Sequence, residues 1–310
     1  MKKRQAYLLF VIATLIWGFA FVAQKAAVVL PPFTVCAIRA GVAALFLLAV
    51  IPLTDKITAT GRKFYTRRGI DLNKNELIGG LVLGIILTAS SVLQQAGLSD
   101  TDAGKAAFIT TLYVVLVPIF NIFLGKRPGI NVIVGVPIAL IGFFLLCIKP
   151  GIGIAPSDLM ILGCALIFTF HIIGVDRLSV GCDGVRLSLV QFAVSFILDA
   201  ILGLIFEGVI GGKLIMSVLP SLLFLGVGSS GIAYTLQIVG QKHADPNVSS
   251  LILSLEAVFA VIGASVVLGE RMLPREHLGC ALVLVAVILA QTEPNFIKKL
   301  LKIDKYVNKN

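Results

Sequence analysis

Two stretches of this chain are copies of one another, and any fold it adopts must accommodate both. Residues 93–127 read LQQAGLSDTDAGKAAFITTLYVVLVPIFNIFLGKR, and residues 236–271 read LQIVGQKHADPNVSSLILSLEAVFAVIGASVVLGER. Leu93, Gln94, Gly97 and Asp102 match Leu236, Gln237, Gly240 and Asp245 at a constant offset. One inserted residue then brings Leu124-Gly125 into register with Leu268-Gly269, and Arg127 with Arg271. Each copy runs polar turn, long apolar span, Leu-Gly and a charged pair. Elsewhere the match is weaker: Trp17-Gly18-Phe19 aligns with Phe168-Thr169-Phe170, Lys25 with Asp176, and Arg39, after a one-residue shift, with Gln191. A duplication in a chain this apolar is the pattern of membrane carriers built from two halves.

Composition fixes the solvent. Hydrophobic residues make up 58% and charged residues 14%, against roughly half and a quarter in soluble domains. The apolar segments are continuous runs of helix-spanning length, unlike the alternation of barrel strands. The expected class is therefore an all-α integral membrane protein with ten transmembrane helices arranged as two inverted five-helix repeats. The spans are expected near Tyr7–Val29, Phe33–Pro52, Leu77–Gly97, Ala103–Leu124 and Asn131–Ile148, then Leu159–Leu178, Val185–Phe206, Val218–Gln241, Asn247–Leu268 and His277–Gln291. Residues 1–152 form the first repeat, 153–292 the second, and 293–310 a basic tail. Five spans per half force the second half into the membrane upside down relative to the first.

Charge placement predicts orientation. Lys2, Lys3, Arg4, the basic segment within Leu53–Asn75, Lys126-Arg127, Arg177, Arg186, Lys242 and the tail share one face. The other face holds Lys105, Lys149, Lys213, Arg271 and Arg275. By the positive-inside rule both termini are cytoplasmic, and the protein is a multi-pass protein of the cell membrane. The tail, with apolar residues at helical spacing between lysines, suits the inner leaflet. The net charge of +10 is explained by span flanks and anionic lipid rather than nucleic acid. The five cysteines are scattered without ligand spacing and read as small apolar residues. No metal or other cofactor is expected.

The span arrangement, the first-span TLIWGFAFVAQK, the PPFTVCAIRAG opening of the second, the LGKR and LGER endings, and LSLEAVFAVIGASVVLGERM followed by Gly279 together resemble the EamA-type transporters of the drug/metabolite transporter superfamily. The resemblance implies amino acids or related metabolites as cargo and export as the commoner direction. One departure is Ala257, where the family often has Pro after the ninth-span Glu. With Pro118 the only Pro this deep in either copy, the helix breaks are expected to be less symmetric here.

Polar groups inside spans are costly in lipid and mark candidate sites. Glu256, about ten residues into its span, can pick up a proton, bind an amine or act as a strut. Lys25 and Arg39 lie near the Pro31-Pro32 turn. They suit a substrate carboxylate or the outer mouth; the alternative for Lys25 is snorkelling to the headgroups, and for Arg39 an ion pair or a hydrogen bond to a neighbouring helix end. Polar stripes recur in repeat-related spans: Thr88, Ser91 and Gln95 with Gln94 in the third, Ser230, Tyr234 and Gln237 in the eighth, Thr110 and Tyr113 in the fourth. These suit a wet cavity or interhelical hydrogen bonding. Trp17 suits a wall or gate. His171 suits proton movement or a core hydrogen bond, and Gln191 joins the candidates as the repeat mate of Arg39. Asp199 lies toward the outer end of its span and is expected to be hydrated. Gly203, Gly226, Gly228, Gly263 and Gly269 are expected at close helix approaches.

The leading expectation is a secondary transporter of small polar, amino-acid-like metabolites, with export as the expected direction, alternating access through a mid-membrane cavity, a proton as candidate coupling ion and membrane lipid as its surroundings. Monomer and homodimer stay open. The alternative is a membrane-embedded lipid-handling protein or enzyme, but no HExxH, GxSxG or paired acidic motif is present, and the absence of a P-loop argues against driving by ATP.

Overall fold

The computed structural model describes residues 3–58, 65–66, 69–147, 155–268 and 273–292. The expectations for Gly269, Arg271, Lys149 and the tail lie outside them. Ten apolar helices follow in order: α1 (Lys3–Val29), α2 (Pro32–Lys56), α3 (Lys74–Gly97), α4 (Ala103–Phe123), α5 (Ile130–Leu145), α6 (Pro156–Leu178), α7 (Gly184–Phe206), α8 (Leu219–Gln241), α9 (Pro246–Val267) and α10 (Pro274–Gln291). Among the described residues, nine are long and apolar enough to cross a membrane on their own; α5 is the shorter tenth and packs along α10. Between α2 and α3, β1 (Tyr65–Thr66) pairs antiparallel with β2 (Gly69–Ile70).

Helix ends follow from local chemistry. Asn73 and Glu76 form a capping box at the start of α3, each side chain accepting from the other's N–H at 2.8 Å. The second oxygen of Glu76 accepts from Asp183 N–H at 2.9 Å, tying α3 to the start of α7. Arg186, fully buried one turn into α7, donates to the Asp55 carboxylate at 2.7 Å and to the Asp71 carbonyl at 3.2 Å. The Leu-Gly-charge ending of α4 also has a physical cause. Gly125 adopts φ +80°, and Lys126 N–H returns to the Asn121 carbonyl at 2.8 Å, a helix stop that needs a residue without Cβ. Lys126 then meets Asp176 at 2.5 Å.

Glycines set the helix approaches, and they do so twice over. A Cβ on Gly97 would lie 2.4 Å from Ile161 Cγ1; one on Gly240 would lie 2.5 Å from Phe10 Cε1. Gly97 and Gly240 are repeat mates, and Phe10 and Ile161 are related by the offset that matches Trp17 to Phe168. The contact of α3 with α6 is thus the contact of α8 with α1, reproduced. Likewise Gly80 and Gly84 seat α3 on Val190 and Val194 of α7, while Gly226 seats α8 on Val42 of α2. The glycine expectations are corrected in part: Gly226 is a close approach, but Cβ atoms on Gly203, Gly228 and Gly263 would make ordinary contacts at 3.4 Å. The tight positions are where helices cross, which a glycine count does not reveal.

Two spans break, and at matching places. α4 is interrupted at Leu112 and α9 at Ser254. In each the ladder tightens to an i→i+3 bond, Val115 N–H to Leu112 O at 3.0 Å and Ala257 N–H to Ser254 O at 3.2 Å, a mid-helix feature associated with hinges. The expected asymmetry is therefore corrected. Pro118 is not at the break, and α9 bends without proline. In α9 the hydroxyls of Ser250 and Ser254 bond back to carbonyls three residues earlier, at 2.9 and 2.7 Å, which loosens the ladder. α8 carries the third irregularity, a π-helical stretch over Phe224–Tyr234.

Gly18 tests this packing scheme. A Cβ there would fall 2.3 Å from Phe259 Cβ and 2.6 Å from its backbone carbon. Gly18→Ala is expected to destabilise the protein by about 1–3 kcal/mol through overpacking, read as a lower thermal midpoint in detergent. Gly104→Ala, whose Cβ would meet Val261 at 3.5 Å, is expected to be neutral or stabilising.

Candidate functional site

The broken and irregular helices converge on one polar chamber. Gly18 brings α1 against α9 at Phe259 and Ala260, one turn from Glu256, so Trp17 and Glu256 both reach the centre. The π-helical stretch of α8 turns Ser229 and Ser230 inward. Trp17 Nε1 donates to the Ser229 carbonyl at 3.2 Å. The first half adds Gln24 from α1, Arg39 from α2, Gln94 from α3 and Thr110 from α4; the second adds Cys164 and Phe168 from α6 and Tyr234 from α8. About 20 Å³ of it is open to the centre of a water molecule, room for a water and not for a metabolite.

Its two charged groups are both buried and lie on different elements. Arg39, 5% exposed, donates to Ser230 Oγ at 3.1 Å, Ser229 Oγ at 3.2 Å and Gln24 Oε1 at 3.4 Å. It forms no ion pair with any described residue. Glu256, 4% exposed, has one carboxylate oxygen with no hydrogen-bond partner. The Tyr113 hydroxyl, just past the break in α4, neighbours it without completing a well-formed hydrogen bond. Gln94 Nε2 donates to Thr110 Oγ1 at 3.2 Å.

One face of the chamber is walled by rings and amides. Trp17 meets Tyr234 edge-on with centroids 4.7 Å apart, and Phe168 stacks on His171 at 5.3 Å. Beyond them, His171 Nε2 pairs with Gln191 Oε1 at 2.8 Å. Gln237 donates to Gln241 at 2.8 Å, and Gln241 donates to the Ile172 carbonyl at 3.1 Å. Asn121 of α4 donates to Asn247 of α9 at 2.8 Å. On the opposite face, at the Pro31-Pro32 turn, lies a vestibule of about 370 Å³ with walls from Val28, Val29 and Met160. Between vestibule and chamber α1 and α3 cap each other. Lys25 Nζ donates to the carbonyls of Leu98, Ser99 and Thr101 at 2.7, 3.1 and 3.1 Å, and Gln95 Nε2 donates to the Gln24 carbonyl at 3.2 Å.

The sequence candidates therefore separate. Trp17, Arg39, Gln94, Tyr234 and Glu256 line the chamber, with Tyr113 beside Glu256. Gln95 lines the vestibule. His171, Gln191 and Gln237 are buried behind the aromatic wall, and Lys25 is spent on the end of α3. Asp199 is corrected: it is 1% exposed rather than at a hydrated helix end. Sequence reasoning missed Gln24, Ser90, Ser229, Cys164 and Phe168. Gln24 had a signal, lying one heptad after Trp17, and Phe168 had another as the repeat mate of Trp17. Ser229 had none, because only the π-helical phase turns it inward.

Among the described residues, ten apolar helices in two similar sets surround a polar chamber, the architecture of a polytopic membrane protein. Over residues 4–148 and again over 155–292 the sequence matches the EamA-like transporter family, and the chain belongs to that family of membrane transporters. It is 29% identical over 291 residues to an uncharacterized transporter of Archaeoglobus fulgidus, covering 93% of this chain and 86% of the relative. A crystal structure with 19% identity superposes with a TM-score of 0.75 over 97% of this chain and all of the other, which shows a shared fold.

Lys25 supplies a prediction. Lys25→Met removes three bonds from a cation to carbonyls and is expected to destabilise the protein by about 1–3 kcal/mol. The loss should appear as a lower midpoint of thermal unfolding.

Proposed function

We propose that the protein is a secondary transporter that exports small polar, amino-acid-like metabolites by alternating access, coupled to protons. The observation that carries this reading is the pair of buried, opposite charges, Arg39 and Glu256, lining one chamber without an ion pair between them. An amino acid offers a carboxylate for the first and an ammonium for the second, and a bidentate guanidinium contact suits the carboxylate. Each charge comes from a different half, so cargo bridges residues 1–152 and residues 153–292, the two units whose relative rocking opens either face. The chamber is too small for cargo as it stands, which fits a conformation near closure. The breaks at Leu112 and Ser254 are the hinges, since they sit next to Tyr113 and Glu256 and can change local direction without unfolding a span. Glu256 takes the proton when cargo leaves. The protein sits in the cell membrane with both termini cytoplasmic. The walled face of the chamber is then cytoplasmic and the vestibule external.

Purified protein in liposomes tests this reading. With labelled amino acids as the panel, an imposed pH gradient is expected to drive accumulation. Glu256→Gln is expected to abolish gradient-driven accumulation while leaving exchange of cargo for cargo measurable. Accumulation that ignores both the gradient and the substitution contradicts proton coupling.

A further inference from the structure

A second acidic group lies beside Arg39, in a cavity that adjoins the chamber. Asp199, in α7, has a carboxylate oxygen with no hydrogen-bond partner. It shares with Arg39 a separate cavity of about 10 Å³, whose other polar walls are Cys36, Ser91 and Ser195. Arg39, Ser91 and Tyr234 line both this cavity and the chamber, so the two spaces adjoin across the Arg39 side chain. The groups facing Asp199 from its neighbours are few: Cys36 and Arg39 from α2, Tyr234 from α8, and only Ser91 among polar groups from α3. On its own helix, Glu207 is engaged with the N-terminus of α2, accepting from Phe33 N–H at 2.7 Å and Thr34 N–H at 2.8 Å. Arg39 is therefore the one cation available to Asp199 among the described residues lining that cavity.

A carboxylate buried in a bilayer is costly unless a cation can reach it. Arg39 nevertheless directs its hydrogen bonds to two serine hydroxyls and an amide, all neutral, of which Ser229 and Gln24 line the chamber. A guanidinium held between neutral acceptors and an unpaired carboxylate has two available arrangements. We propose that Asp199 is the alternate partner of Arg39, competing with the anionic group of the cargo and so setting how tightly an anion is held. In the arrangement seen here Arg39 faces the chamber and can receive a carboxylate. In the other it turns to Asp199, and the cargo anion loses its partner and leaves. The exchange makes and breaks only hydrogen bonds and an ion contact. It rests on reading the chamber as the cargo site.

The protein carries its own probe, since Trp17 is the single tryptophan and lines the chamber. Acetate, with methylammonium as the cationic comparison, is titrated into purified full-length protein while Trp17 emission is read. Asp199→Asn is expected to tighten acetate by about tenfold, the scale of one charged competitor removed from a partly screened site. Asp199→Ser is expected to do the same, Asp199→Glu to behave as the unaltered protein, and Arg39→Gln to abolish the acetate response. Acetate affinity that stays the same or weakens in both Asn and Ser variants overturns the proposal. If acetate moves Trp17 emission in no variant but methylammonium does, the Arg39–Asp199 exchange falls and the chamber reading stands. If neither ion moves it, both fall.

Discussion

A guanidinium and a carboxylate can sit at the centre of a chain that turns leucine, isoleucine and phenylalanine to lipid only if the protein itself surrounds them. Everything else in this structure serves that constraint. The surround is drawn from both halves, with Arg39 and Gln94 from the first and Tyr234 and Glu256 from the second. It comes from two halves placed head to tail, which is why repeat-related glycines appear at repeat-related crossings. Gly97 on Ile161 and Gly240 on Phe10 are one contact made twice. The chamber forms where α1 to α4 meet α6, α8 and α9.

The enclosure is strongest where backbone regularity fails. An unbroken α-helix has no spare hydrogen-bonding capacity and presents side chains on a fixed phase. Interrupting α4 at Leu112 and α9 at Ser254, and widening α8 to a π-helix over Phe224–Tyr234, re-aims Tyr113, Glu256, Ser229 and Ser230 toward one point. The two faces of the chamber are then closed by different means. Stacked rings and amide pairs shut one; the mutual capping of α1 and α3 by Lys25 and Gln95 narrows the other.

Much of this was legible in the sequence. Apolar runs placed the spans to within a few residues, and the duplication paired Gly97 with Gly240. Polar residues in apolar helices marked Trp17, Arg39, Gln94, Tyr234 and Glu256 correctly as inward-facing. The misses share a cause: they depend on phase or on distant partners. Nothing local to Leu112 signals a break, and Pro118 pointed to the wrong place. Ser229 faces inward only because a π-helix shifts the register. Lys25 looked like a free cation because the carbonyls that hold it lie some seventy residues on, at the end of another helix. Asp199 looked hydrated because its distance from the span end was legible, whereas the helices that cover it were not.

If cargo passes by the proposed rocking, the two halves separate on the walled face. Asn121 and Asn247, bonded at 2.8 Å across that face, allow a direct measurement. In a background without the native cysteines, Asn121→Cys and Asn247→Cys are joined by oxidation, and transport into liposomes is followed before and after reduction. The account predicts that the cross-link stops transport and that reduction restores it. Full transport with the cross-link intact would contradict it.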